Sequence, residues 1–294
     1  MQLLATHLPG KKSTIHQWIN NFTTWFTHDP RLYQITFLSC FLGYGVSSLH
    51  WDIAIPVFAA AFCSCLVMQN IFIVCRMSDL HSLKSAIISA LSLCLLLRTN
   101  DVVVMLFAGA LSISSKFIFR ITQKSDGVIT ASRKHFFNPT NFGIITTILI
   151  TGSAWISPGQ WGSNGILLFC IGILGFAVLL KVKRLDIAIT FFSVFCMLSF
   201  IRSVVVVGWS TDVFFHQFTS GTLLLFTFFM ITDPVSTPSH KTARIIWATL
   251  VAMLAFYLAT YEFVNGAPLW ALFFLSPTTV LFDKFFLHPK FSWL

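Results

Sequence analysis

Two short stretches hold most of the chemistry this chain can offer. The first is Arg133-Lys134-His135-Phe136-Phe137-Asn138-Pro139-Thr140-Asn141-Phe142-Gly143. Three cations precede an Asn that can cap a helix and a Pro that suits its first turn. A helix begun this way offers free N–H groups and the positive end of its dipole to an anion, such as a phosphate or a flavin ring edge. The second stretch is Thr232-Asp233-Pro234-Val235-Ser236-Thr237-Pro238, which closes the apolar run 226–231. Its structural reading is a helix cap by Thr232 or Asp233 ahead of Pro234. Its functional reading rests on Asp233, because a carboxylate at the edge of hydrocarbon is expensive unless it is paired. Lys241, Arg244 or the 133–135 cluster would serve as partners, and the same carboxylate could bind a cation or relay protons. Lys116, four residues before Arg120, either snorkels to the interface or turns inward toward Asp233 or a ligand. Together Lys116, Arg133, His135, Asn138, Thr140, Asn141, Thr232, Asp233 and Thr237 are expected to meet in one polar, ligand-binding cluster. The nine His form no HxH or HExxH, and there is no GxGxxG or P-loop. No metal site and no nucleotide site of those types is expected.

The elements that must position these residues are apolar. Of 294 residues, 19 are Lys or Arg and 10 are Asp or Glu, so 10% are charged, against about 25% in a soluble domain. Apolar residues make up 56%, with 33 Phe. That excludes an ordinary soluble enzyme, a disordered chain and a disulfide scaffold. The reading is an all-α integral membrane protein. Hydrophobic segments fall at about 32–50, 53–75, 83–98, 102–120, 141–157, 164–181, 185–202, 214–232, 243–262 and 267–286, which predicts about ten transmembrane helices. Several are short enough to be broken or re-entrant.

Charge fixes the orientation. With both termini cytoplasmic, sixteen of the 19 Lys and Arg fall on inside loops and only Arg98 and Arg202 outside, Lys116 lying within the fourth segment. The net charge of +9 is therefore a topology signal, and nucleic acid is not an expected partner. Residues 1–31 read as an amphipathic helix at the membrane surface or against the bundle, 32–286 as the membrane domain and 287–294 as a cytoplasmic tail. The seven Cys lie in apolar stretches and read mostly as buried small hydrophobes. A faint echo between 82–98 and 184–202 suggests two related five-helix halves, parallel in this topology.

Lys116, the helix start Phe137-Asn138-Pro139-Thr140 and the run from Phe228-Phe229 into Thr232-Asp233-Pro234-Val235 resemble the membrane family that contains NqrB and RnfD. The resemblance runs from about residue 50 to 290 and is closer to stand-alone, UnbU-like members. It implies ten spans and membrane electron transport, in a bacterial cytoplasmic (inner) membrane. In the family FMN is attached through its phosphate to the last Thr of an SGAT-type motif on the outer side, after the FNP helix. Here the corresponding turn, 157–165, contains no Thr. The string Thr219-Ser220-Gly221-Thr222 falls where the family has a packing stretch, so covalent FMN is not expected. The resemblance leaves a non-covalent flavin (FMN or riboflavin) or a quinone as the cofactor. Redox partner subunits are implied, since the chain has no NADH site. The alternative is an ion or small-solute transporter without redox chemistry.

Overall fold

The computed structural model describes residues 29–49, 51, 54–122, 133–157, 165–218 and 220–286. The expected N-terminal amphipathic helix, the tip of the 121–140 loop, most of the 157–165 turn and the C-terminal tail lie outside them. Within them the chain is an all-α integral membrane protein. Its elements are α1 (Pro30–Ser47), α2 (Ile55–Val74), α3 (Leu83–Leu96), β1 (Leu97–Thr99), α4 (Val102–Ile118), β2 (Arg120–Thr122), β3 (Arg133–His135), α5 (Pro139–Thr151), β4 (Ala154–Ile156), α6 (Gly165–Val182), α7 (Leu185–Phe200), α8 (Thr211–Gln217), α9 (Gly221–Leu225), α10 (Lys241–Thr260), α11 (Ala267–Leu275) and α12 (Thr278–Phe285). A π-helical stretch, Ile201–Val206, continues α7, and a second, Phe226–Met230, continues α9. Val74, Ile118 and Val205 are exposed on the outer surface, as lipid-facing side chains must be.

Each of the ten hydrophobic segments coincides with a helical element, but few are full-length helical spans. Among the described residues, three helices are long and apolar enough to cross a membrane: α2, α7 with its π extension, and α10. A fourth arises if α8 and the 221–230 helix, bent by 55° at their junction, form one broken span. Two segments formed by a single helix are short: α3, with 14 residues, and α5, with 13. At 1.5 Å per residue each covers only about 20 Å of a core about 30 Å thick. The sequence completes both in the same way. Each helix runs directly, or after two residues, into a three-residue strand, and β1 pairs antiparallel with β4 in the register Leu97↔Ile156 and Thr99↔Ala154. Helix plus strand reach about 30 Å, and the pairing satisfies backbone groups that lipid cannot. The Thr99 hydroxyl donates to the Ser153 carbonyl at 3.0 Å and fixes the register.

Packing repeats between the halves. In the first, α1 lies on α3, α2 on α4 and α4 on α5; in the second, α6 lies on the 221–230 segment, α7 on α10 and α10 on α11. The halves meet through α1 with α6 and α5 with α11. The sequence echo does not follow this packing: by their contacts α3 is third in its half and α7 second. Small residues allow the close approaches. A Cβ on Gly143 of α5 would sit 2.8 Å from the Ala108 carbonyl oxygen and the Ser112 Cβ of α4. The cysteines divide differently from expectation. Cys65 and Cys94 are buried, but Cys40, Cys63 and Cys75 are exposed on lipid-facing surfaces where an apolar thiol costs little.

Candidate functional site

Asn138 caps α5 as its sequence requires: its side-chain oxygen accepts the Asn141 N–H at 3.0 Å, and Pro139 occupies the first turn. The same amide donates to the Met230 carbonyl at 3.2 Å. This ties α5 to the second π stretch. Asn141, fully buried, donates to the Leu269 carbonyl at 3.0 Å and ties α5 to α11. Phe119, Phe137, Phe142 and Phe273 pack as a cluster beneath this helix start.

The 231–240 stretch is a turn, and no helix starts at Pro234. Asp233 organises the turn itself, accepting the Val235 N–H at 3.2 Å and the Ser236 hydroxyl at 2.9 Å. The next helix begins only at Lys241, capped by His240. Of the partners expected for Asp233, the 133–135 cluster supplies one: His135 Nε2 lies 3.8 Å from Asp233 Oδ2. Arg244 instead pairs with Asp186 at 2.7 Å. Lys134 forms a buried ion pair with Asp283 of α12 at 2.6 Å and also donates to the Thr237 carbonyl. The other Asp283 oxygen accepts the Ser239 N–H at 2.8 Å. Lys116 does not snorkel; it is 6% exposed and donates to the Ser85 hydroxyl of α3 at 2.9 Å. Arg133 is placed only by its backbone, paired with Thr122; its side chain lies outside the described residues.

These groups enclose a polar cavity of about 120 Å³ at the N-terminal end of α5, lined by Arg31, Ser85, His135, Thr140, Thr232 and Asp233 among others. Near its mouth Asp29 holds Arg31 through two side-chain contacts, at 3.0 and 2.9 Å, and Lys84 at 2.7 Å. The sequence-predicted cluster is thus brought together, with a division of labour. His135, Asn138, Thr140, Thr232 and Asp233 line the cavity, Lys116 reaches its wall through Ser85, and Asn141 and Thr237 act as ties. The cavity is smaller than the roughly 300–1,000 Å³ of organic-ligand sites, and a flavin ring does not fit it.

Burial would raise the Asp233 carboxyl, but the nearby His135, with the hydrogen bonds from Val235 and Ser236, holds it below the usual carboxylate range. Burial lowers His135 below the ordinary imidazole value of 6.5 despite Asp233. Burial also opposes Asp29, where Arg31 and Lys84 prevail and hold the carboxyl well below that range. The signs give one expected pH profile. The unfolded chain binds a proton at His135 that the folded chain refuses, so stability falls as pH drops below about 6.5. Asp233 and Asp29 stabilise above the unfolded carboxylate value of 3.8 and lose that contribution as pH falls through their lower folded values. The unfolding temperature in detergent should be flat from pH 8 to 7 and decline from 6.5 to 4. His135→Gln should flatten the upper part of that decline.

A second cavity, of about 500 Å³, opens at the opposite end of α5, where Ser157 follows β4. Its walls come from the end of α7 with its π extension, the start of α9, the end of α10 and the start of α11. Trp209, Phe195 and Phe263 supply aromatic surface, and Arg202 the charge. Among the described residues the Arg202 side chain has no hydrogen bond or ion pair. Thr222 lines this cavity, its hydroxyl donating to the Ser157 carbonyl at 2.7 Å. Gly266, at φ +67°, permits the turn into α11 against Ile156. No motif in the sequence marks this site. Its one signal was the charge asymmetry, in which Arg202 and Arg98 are the two exceptions. Arg98 is accounted for by Trp51, whose ring centre lies 5.1 Å from the guanidinium. Arg202 is accounted for only by the cavity.

The profile of the NQR2, RnfD, RnfE family matches residues 102–292. The chain belongs to this family. The match covers α4 through α12, and so both motif stretches and most walls of both cavities. No curated protein sequence matches the chain. Members of the NQR2, RnfD, RnfE family take part in membrane electron-transport complexes of several subunits.

Proposed function

We propose that this chain is the membrane-embedded electron-transfer subunit of a multi-subunit complex in a bacterial cytoplasmic membrane, with both termini cytoplasmic. It holds a non-covalent flavin or quinone in the 500 Å³ cavity. The observation that carries this reading is that cavity's size and lining, which suit a flat ring system and the polar cavity's do not. Trp209, Phe195 and Phe263 would face the ring, and Arg202 would neutralise a phosphate or a reduced, anionic ring. When bound, the group supplies one- and two-electron chemistry; the protein supplies orientation, charge and exclusion of water. Covalent FMN does not fit: the 157–165 turn has no Thr, and the Thr222 hydroxyl is engaged by Ser157.

The test is an absorption spectrum of the detergent-purified protein, followed by acid precipitation and flavin fluorescence of pellet and supernatant. Flavin in the supernatant, lost about tenfold or more in Arg202→Met, is expected. Flavin in the pellet would show covalent attachment. A protein that neither retains flavin nor binds an added quinone would overturn the redox reading. The two cavities at opposite ends of one broken segment then favour transport of an ion or small solute.

A further inference from the structure

We infer that the large cavity grips its ligand by an oxyanion, and that the ligand is an organic phosphate monoester. This rests on the electron-transfer reading only in sharing its cavity, and deepens it by naming the group that is held. The sign comes from the lining itself. Arg202 lines the cavity, and among the described residues no Asp or Glu does. The acids on adjoining elements, Asp212 of α8 and Glu262 in the turn after α10, are exposed and outside the lining, and Glu262 accepts the Tyr257 hydroxyl at 2.8 Å. A second source of positive potential is α11. This nine-residue helix starts in the cavity wall at Ala267, and its N-cap, Gly266, brings no side chain to the free N–H groups of the first turn.

Ser199, Arg202 and Ser203 line the cavity from α7 and its π extension, at the spacing that sets side chains on one helical face. Ser199 and Ser203 are 7% and 6% exposed. A hydroxyl in a membrane helix commonly bonds back to the carbonyl one turn earlier, as Thr190 and Thr227 do at 2.7 and 2.8 Å. Among the described residues neither Ser199 nor Ser203 does this or has another hydrogen-bond partner. Two buried hydroxyls and a guanidinium therefore face one space as donors. A phosphate monoester offers three terminal oxygens to them. Its charge of about −1.5 to −2 at pH 7 suits one guanidinium and the roughly +0.5 of a helix N-terminus. Size then requires an organic body. About 500 Å³ is far more than one inorganic phosphate occupies and lies in the range of roughly 300–1,000 Å³ for organic ligands. Phe195, one turn before Ser199 on the same face, sets an aromatic surface beside the oxyanion.

The experiment is thermal unfolding of the full chain in detergent, as sodium chloride is exchanged for sodium phosphate at constant ionic strength. A saturable rise of roughly 5 °C is expected. Phenyl phosphate should give such a rise at a midpoint about tenfold lower, because its ring adds aromatic contact. Ser199→Ala and Ser203→Ala should each raise the phosphate midpoint about tenfold without lowering the unfolding temperature in chloride. Arg202→Met should abolish the rise. Equal stability in chloride and phosphate overturns the proposal, as does a rise that persists unchanged in all three variants, or a phenyl phosphate midpoint no lower than that of phosphate. FMN bound no more tightly than riboflavin also overturns it, and leaves the electron-transfer reading standing. Saturable phosphate binding by a protein that takes neither flavin nor quinone does the reverse. If Arg202→Met fails to fold, the two Ser variants decide.

Discussion

Asp283→Ala should be among the most damaging single substitutions in the chain, costing about 3–5 kcal/mol. It removes the carboxylate 2.6 Å from Lys134, whose side chain is 3% exposed. Burial already pushes the Lys134 ammonium down against the pull of Asp283, and without that partner the charge is stranded. The same carboxylate anchors the Ser239 N–H, so the variant also frees the 236–239 turn and α12. The check is thermal unfolding in detergent, followed by intrinsic fluorescence. Lys134→Met combined with Asp283→Leu should recover most of the loss, because a buried pair replaced by apolar groups of similar size is often neutral. A double variant as unstable as Asp283→Ala would show that the Thr237 and Ser239 backbone contacts, rather than the charges, carry the energy.

Gly143→Ala has the second-largest expected effect, about 1–3 kcal/mol, from adding a single methyl group. Its new Cβ would lie 2.8 Å from both the Ala108 carbonyl oxygen and the Ser112 Cβ. The oxygen belongs to the α4 backbone and cannot rotate away, so α5 must move. Ser112→Gly in the same chain should restore only part of the loss, since it clears the Ser112 Cβ but leaves the Ala108 carbonyl oxygen and the Ser112 Cα, at 3.1 Å. It sacrifices no described hydrogen bond, because the Ser112 hydroxyl has no described partner. The position matters beyond stability. Asn138 sits at the N-terminal end of the displaced helix, so its tie to the Met230 carbonyl should loosen as the unfolding temperature falls.

What the sequence made legible is what is local or periodic. The α5 start was legible because Asn138, Pro139 and Asn141 act within one turn. The ten segments were legible because apolar runs need no partner to be recognised. The completion of α3 and α5 by strands was not, since β1 and β4 pair across 54 residues at Thr99 and Ser153. Nor was the partner of Lys134, which lies 149 residues away. The Thr232–Pro238 stretch read as a helix cap because Asp-Pro suits one. The structure instead spends the Asp233 side chain on a closed turn, and Pro238 sits just ahead of the residues that start α10. The large cavity left almost no local trace, because its walls are ordinary aromatic and small polar residues from four elements. Only the misplaced charge of Arg202 pointed to it.

The broken segment that links the cavities has an electrical consequence. Thr222 lines one cavity and Thr232 the other, about 15 Å apart at a helical rise of 1.5 Å per residue. Polar space intrudes from both ends, so the insulating layer along this line is about half the thickness of the surrounding bilayer. The membrane voltage must fall across that short interval. A charge passing from one cavity to the other would gain or lose up to about 2.3 kcal/mol per 100 mV, roughly the entire electrical work of a full crossing. Transfer of a charged species between the cavities would therefore answer to membrane potential through the span between Thr222 and Thr232, whereas occupancy of each cavity from its own side would not.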